Sequence, residues 1–590
     1  MTSGTKDRLP KWDLTPVYTD FDDPKYAKTK ESLIKEISKF KQWAENSESR
    51  KTDPKGWIKK SIDLYNKISD IYEDLYDYAY ARFSADIKNA TAVKELNILE
   101  EISLPFKQAE ARMRTGIAAL SGTPIPEEYR FFIKEQILLS TKQMSPSEED
   151  LANDLSRAGG DAWSRLQEAV SGNCKTPPNE KTGESKSLVE LRALAFHRDR
   201  KIREKAFYEE LALLKQVEIP MAFALNGVKG FSCTLDKRRK YSSSLNRSVI
   251  QSRITEKTLE ALIYSMEESL PVFRKYLKAK AEILGIPKCA FYDLFAPIGK
   301  SPKTWSFSEA EEFIVNHFAR FSGELADFAS GAFRNNWIDA ELRDGKIGGA
   351  YCIAFPLTLS TRVFCNFNGS FNSVTTLAHE LGHAYHHEVI KENSAVHRAY
   401  PMTLAETASI FAENIIYEGA LETMGETERT VILEQFIQGS TQIIVDILSR
   451  FYFEQEVFKN RIKGELSPEE LCRLMLKAQK KTYGEGIDED KLHPYMWAVK
   501  GHYYNQNRSF YNYPYAFGLL FGLGLFSIYR KEGPVFSETY KRILGNTGKM
   551  SANDVFKTIG FDIEDPDFWQ QGLSLISDRI EEFISFGGGQ

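Results

Sequence analysis

Apolar residues recur every three or four positions through most of this chain, with charged residues on the outer face of each turn. This spacing predicts helices over residues 31–45, 58–85, 92–120 and 129–139. Ser145-Pro146-Ser147-Glu148 has the form of a further helix start, with an acid in the first turn. Residues 172–186 are dense in Pro, Gly and polar side chains and read as a loop close to where an N-terminal lobe joins the rest. A helical block over 188–235 and more helices to residue 335 follow. Then the period changes. Residues 350–355 and 362–367 are short runs rich in aromatic and β-branched side chains, expected as strands of a small sheet. No repeat of 20–50 residues is visible, and the one low-complexity tract is Gly587-Gly588-Gly589. The expected fold is mainly α, with one small β-sheet.

Bulk numbers narrow the class. A chain of 590 residues exceeds what one ordinary core fills, so at least two lobes are expected. The expected division is an N-terminal helical lobe at 1–200 and a catalytic domain at 201–590. Net charge is −5 with both signs interleaved, which gives no basic face for nucleic acid. The longest uncharged apolar stretch, 511–529, contains Pro514, Gly518, Gly522 and Gly524; it falls short of a membrane span and reads as a buried helix. Met1 to Pro10 is polar, with no secretory pattern. The six cysteines include no C-x-x-C pair, so reduced thiols and a cytoplasmic setting are expected.

The sharpest chemical signal is His379-Glu380-Leu381-Gly382-His383. Val374, Leu377, Ala378, Leu381, Ala384, Tyr385 and Val389 follow helical spacing around it. On a helix, side chains four apart stack on one face, so both imidazoles can address one ion. Glu380, next to the first ligand, can reach a water at that ion and act as general base.

A catalytic zinc site needs a third protein ligand. A third histidine in the pattern H-E-x-x-H-x-x-G-x-x-H would require Gly at 386 and His at 389, where the chain has His386 and Val389. His386 lies two helical turns from His379, about 10 Å along the axis, too far to share a metal. His386 and His387 are therefore expected to be exposed or to support the ligands indirectly. A carboxylate from residues 403–413, expected as one helix, fits better. Glu406 is assigned as the third ligand and Glu413, seven residues on, as acceptor for a histidine N–H. Glu388, Glu392 and Glu418 remain competitors.

Thr376 to Ala384, Leu404-Ala405-Glu406-Thr407-Ala408-Ser409, Gly348-Gly349-Ala350-Tyr351-Cys352 and Trp12-Asp13-Leu14-Thr15-Pro16-Val17-Tyr18 together resemble oligoendopeptidase F, a branch of the thimet-oligopeptidase-like zinc peptidases. The resemblance implies two helical lobes flanking a deep substrate channel, one zinc ion, and cleavage inside short peptides with folded proteins excluded. It also implies that a His and Tyr residues of a C-terminal segment hold the substrate and the oxyanion. Here those are His502 and Tyr515, with Tyr511 and Tyr513 in reserve because the tyrosine register is ambiguous. The strand after Gly348-Gly349 could pair with an extended peptide through its backbone. Two rival readings stand beside this one. A zinc carboxypeptidase would need a cation such as Arg398 or Arg508 for the substrate's terminal carboxylate. A non-catalytic peptide-binding scaffold would need none of the four chemical positions.

Overall fold

The structure, a computed structural model, describes residues 9–178, 183–299 and 303–587. Parts of three expectations fall outside them: the extreme N-terminus, residues 179–182 of the 172–186 loop, and the glycine tail. The chain divides into two compact units, each built from three separate stretches. The first comprises Met1–Pro146, Pro302–Glu422 and Leu525–Phe561; the second comprises Ser147–Ser301, Thr423–Gly524 and Asp562–Gln590. The expected cut at residue 200 coincides with no boundary of these units; it falls at the start of helix Arg200–Arg238. Local sequence shows where a helix begins, but which stretches pack together is decided by contacts far apart in the chain.

In the first unit, helices Pro24–Glu45, Pro54–Ala85 and Ala90–Ala119 pack against one another. Their starts are capped by Asp23, Asp53 and Asn89, each accepting a backbone N–H of the first turn. Leu33, Phe40, Ile62, Leu75, Leu99 and Ile117 fill the space between them. The sheet has three strands, β1 (Ile338–Asp339), β2 (Tyr351–Phe355) and β3 (Ser360–Phe364), in the order β1-β3-β2. β3 runs parallel to β1 and antiparallel to β2, so β2 is an outer strand. The Trp12-to-Thr15 segment leans on this sheet: Trp12 packs edge-on against Tyr351, and Arg362 Nε donates to the Asp13 carbonyl at 2.7 Å.

In the second unit, Gly160–Asn173 packs on Arg200–Arg238, Glu256–Ile283 on Pro566–Gly587, and Ile447–Arg461 on Pro468–Tyr483. Two buried ion pairs, Lys229–Glu454 and Lys280–Glu434, each close at 2.6 Å. A π-helical turn, Gln442–Asp446, interrupts an otherwise continuous helix, a local defect often found beside functional sites. The expected block over 188–235 is broken: Leu188–Ala193 ends in a 3₁₀ turn before Arg200–Arg238 begins behind its Asp199 cap. The glycine-containing stretch 511–529 becomes part of helix Tyr513–Glu532, with Phe517, Leu520, Phe521 and Leu523 buried. Two helical stretches, Arg200–Arg238 and Glu426–Arg461, are long and apolar enough by composition to cross a membrane; half and most of their apolar windows, respectively, are buried.

Candidate metal centre

The H-E-x-x-H segment lies on helix Phe371–Ile390, begun by Ser370, whose hydroxyl accepts the Ser373 N–H. Its apolar residues Val374, Leu377, Ala378, Leu381 and Ala384 are fully buried, which fixes the rotation of the helix. The ligand face is thereby set. The next segment is not one helix, as expected, but two: Met402–Ala405 ends, Glu406 adopts a turn conformation, and Thr407–Thr423 begins. The break is stabilised by side chains that compete for backbone groups. Thr407 Oγ1 donates to the Leu404 carbonyl at 2.9 Å, and Ser409 Oγ donates to the Glu406 carbonyl at 3.1 Å.

From that break Glu406 reaches both imidazoles. One oxygen, Oε2, stands 3.2 Å from His379 Nε2 and 3.4 Å from His383 Nε2. Donors placed 2.0–2.1 Å from a tetrahedral zinc lie about 3.3 Å apart, so both distances fit the edges of such a site. Among the described residues, His379, His383 and Glu406 form a group whose candidate ligand atoms lie within 4.8 Å of one another. Two nitrogens and one carboxylate oxygen suit zinc and related divalent ions. Glu413 Oε2 lies 3.2 Å from the other ring nitrogen, His379 Nδ1, where it orients the ring. Burial opposes a charged His379, but the bonds from Glu406 and Glu413 outweigh it, so the group's affinity for positive charge is raised well above normal. Burial likewise pushes Glu406 up, yet the two imidazoles hold it far below the usual carboxylate range.

Glu380 is buried, and its Oε2 has no hydrogen-bond partner among the described residues. Burial raises its carboxyl above the ordinary value. A carboxylate oxygen so placed is free to accept from a donor that is not part of the protein. His379, Glu380 and Glu413 line a cavity of about 480 Å³, whose remaining wall is mostly Asn, Ser and Thr side chains with Gly349, Ala350 and Cys365. Gly349, at φ +88°, turns the chain into outer strand β2 where it borders this cavity.

Other expectations change. His386 is fully buried rather than exposed: its Nε2 lies 2.8 Å from Thr547 Oγ1, and its ring stacks on Tyr400. His387 is half-buried, and burial lowers its pKa to about 4. Glu388 pairs with Lys391 at 2.7 Å. Arg398 is committed to Asp70, Glu73 and the Asn393 carbonyl, so it is not a free grip for a terminal carboxylate. Arg508 stands over the Tyr511 ring.

In the second unit, the tyrosine register separates. His502, Tyr511 and Tyr515 form one aromatic cluster, with ring centroids 4.7 Å (His502–Tyr511) and 5.7 Å (Tyr511–Tyr515) apart. His502 Nδ1 lies 3.1 Å from Asn512 Oδ1. Tyr513 does not join them. It is fully buried, and its hydroxyl lies 2.9 Å from Ser252 Oγ and 3.3 Å from Ser248 Oγ. Tyr513 is therefore corrected to a core residue, because alternate positions at a helix start face different ways.

Two residues of the metal centre escaped the sequence reading. Ser409 Oγ sits 2.8 Å from Glu406 Oε2, the oxygen that faces the imidazoles; its signal was a hydroxyl three positions after the ligand. Gly382 lets the two helices touch: a Cβ there would stand 2.6 Å from the Ala408 carbonyl oxygen.

Comparison with known proteins gives a consistent picture. The family described as Peptidase family M3 matches residues 193–575, and one described as Oligopeptidase F matches residues 116–175. Oligopeptidase PepF of Bacillus subtilis (strain 168) is 23% identical over 573 residues, covering 93% of this chain and 83% of that protein. The chromosomal oligoendopeptidase F of Lactococcus lactis subsp. cremoris is 27% identical, over 58% of this chain and 57% of its own. A crystal structure of oligoendopeptidase-F from Enterococcus faecium superposes with a TM-score of 0.69 at 20% identity, covering 96% and 98% of the two chains. A crystal structure described as that of a putative peptidase from Chlamydophila abortus reaches 0.79 at 21% identity, covering 98% of each chain. At these identities the solved structures speak to fold.

Proposed function

The chain belongs to peptidase family M3, and from that membership we propose that it is a zinc-dependent endopeptidase of short oligopeptides with Glu380 as general base. The observation that carries this reading is the single Glu406 oxygen spaced 3.2 and 3.4 Å from two imidazole nitrogens, beside a buried carboxylate with an unmet oxygen. His379, His383 and Glu406 would hold the ion. When bound, zinc supplies Lewis acidity, making water a nucleophile near neutral pH and polarising the scissile carbonyl.

The protein's own groups do the rest. Glu380 accepts the proton of the attacking water and returns it to the leaving amine. Glu413 holds the His379 ring in place through Nδ1, and Ser409 steadies the Glu406 carboxylate. β2 is suited to bind an extended peptide through main-chain hydrogen bonds, which give affinity without demanding particular side chains; its outer position in the sheet supports this role. His502 and Tyr515, with Tyr511 beside them, are assigned to the substrate carbonyl and the developing oxyanion. We also assign the enzyme to the cytoplasm, a setting that its six unpaired cysteines support.

The test pairs metal analysis with Glu380→Gln. Zinc content should stay at one per chain while turnover of a quenched fluorescent peptide falls by roughly 10²–10⁴. Unchanged turnover would remove Glu380 from its role. A peptide blocked at both ends should still be cut internally; a carboxypeptidase would leave it whole.

A further inference from the structure

The second unit holds a cavity of about 380 Å³ whose lining includes none of the residues assigned to zinc, substrate or oxyanion, although its Arg450 reaches Asn512, the partner of His502. Much of its wall is apolar, with Leu191, Phe207, Phe291 and Leu294 among the lining residues. The π-helical turn Gln442–Asp446 forms part of the wall, and so do four cationic side chains, Arg192, Arg203, Arg450 and Lys500.

Their charges do not cancel. Arg192 Nη1 pairs with Glu210 Oε1 at 2.5 Å, and His493 Nε2 stands 3.1 Å from the same oxygen. Arg203 pairs with Asp293 at 2.8 Å, and Arg450 with Asp446. Lys500 is left over. Among the described residues no carboxylate is within ion-pairing distance of its ammonium, and no hydrogen bond to it is formed. The charges that act on it are Arg450 and Arg192 against Asp446 and Glu210, with both acids already committed. Arg450 is 6% exposed, yet among the described residues its Nε–H has no partner, and neither does that of Arg203, at 2%. A partly buried, unpaired ammonium and an unsatisfied guanidinium N–H on residues lining one cavity are costly unless something negative answers them.

We propose that this cavity is a binding site for a small monocarboxylate with an apolar body, its carboxylate held by Lys500 and the Arg450 Nε–H. The Lys500 charge, which no acid answers, matches one carboxylate, and the apolar lining matches a hydrocarbon or aromatic body. Burial, and then the neighbouring Arg450, depress Lys500 to about 7, so the ammonium that the ligand needs is fully present only in mildly acid solution.

Calorimetric titration of the full-length, metal-loaded protein with 4-phenylbutyrate, and in parallel with 4-phenylbutyramide, tests this without any turnover. Saturable binding of the acid at pH 6 is expected, at least tenfold weaker for the amide and for Lys500→Met. Lys500→Arg keeps the charge and should keep the affinity. A second readout does not depend on the methionine variant folding: wild-type affinity should fall several-fold from pH 6 to pH 9, while Lys500→Arg stays level. Equal binding of acid and amide, wild-type affinity in folded Lys500→Met, or no binding at millimolar acid would each overturn the proposal. Binding of the acid that disappears in the metal-free protein would place the carboxylate at the metal centre instead and would also overturn the proposal.

Discussion

Gly382→Ala isolates what the tertiary packing contributes to the metal centre. On an isolated helix this change should help, by about 1 kcal/mol, because alanine loses less backbone entropy than glycine. In the folded protein the new Cβ would stand 2.6 Å from the Ala408 carbonyl oxygen, 2.7 Å from Ser409 Cα and 2.9 Å from Ala412 Cβ. All three atoms belong to helix Thr407–Thr423, and two of them are backbone, which cannot swing aside. Ordinary carbon–oxygen contact begins near 3.3 Å, so the helices must part by about 0.7 Å. Overpacking of this kind costs about 1–3 kcal/mol, leaving a net loss of up to ~2 kcal/mol after the propensity gain.

The functional loss should be larger. Glu406 lies two residues before Ala408, and zinc ligands tolerate only about 0.2 Å of displacement. A shift of ~0.7 Å therefore weakens zinc binding, and misplacement on this scale can cost about 10²-fold in turnover. Competition with a fluorescent zinc chelator measures the affinity, and thermal unfolding of the metal-free protein measures the stability. A variant with wild-type zinc affinity and a raised melting temperature would refute the argument, since it would mean that the helices never met at Gly382.

Other outcomes follow from single contacts. Glu413→Ala should lower zinc affinity by about 10–100-fold, because His379 loses the acceptor that orients it; unchanged affinity in the same chelator assay would mean the ring is held by other means. Tyr513→Phe should cost about 1 kcal/mol of stability with turnover intact, whereas Tyr515→Phe should lower turnover with stability intact; the reverse pattern would restore Tyr513 to the site. The Lys500 ammonium predicts a pH dependence. Its folded-state pKa of about 7 lies below the unfolded value, so between these pKa values the unfolded chain binds the extra proton and stability rises with pH. The contribution has an upper limit of about 1.4 kcal/mol per pH unit above pH 7. Denaturant unfolding at pH 6 to 9 should show this rise in wild type and a flatter profile in Lys500→Met; parallel profiles would mean that Lys500 titrates normally.

Much of this was legible in one dimension. The helices at 31–45, 58–85 and 92–120 could be read because a period of 3.6 in buried residues is a local property; the last two were found within four residues of their expected ends, while the first begins two turns earlier, at Pro24 behind its Asp23 cap. The two strands beside the metal helix announced themselves by composition for the same reason. His379 and His383 could be paired because four residues of helix bring two side chains onto one face whatever surrounds them.

Residues linked through space behaved differently. The break at Glu406, the Ser409 hydroxyl on its carboxylate, the burial of His386 against Thr547 and the inward turn of Tyr513 all depend on partners remote in sequence or on a helix ending early. The excess charge at Lys500 is of this kind too, since Arg192 and Glu210 lie far along the chain from Asp446 and Arg450. Periodicity and short motifs determined the helices, the sheet and the two histidine candidates, and named Glu406 as third ligand against Glu388, Glu392 and Glu418. Only packing decided where a carboxylate meets two imidazoles, because a distance of 3.2 Å is set by the approach of two backbones and not by the spacing of letters.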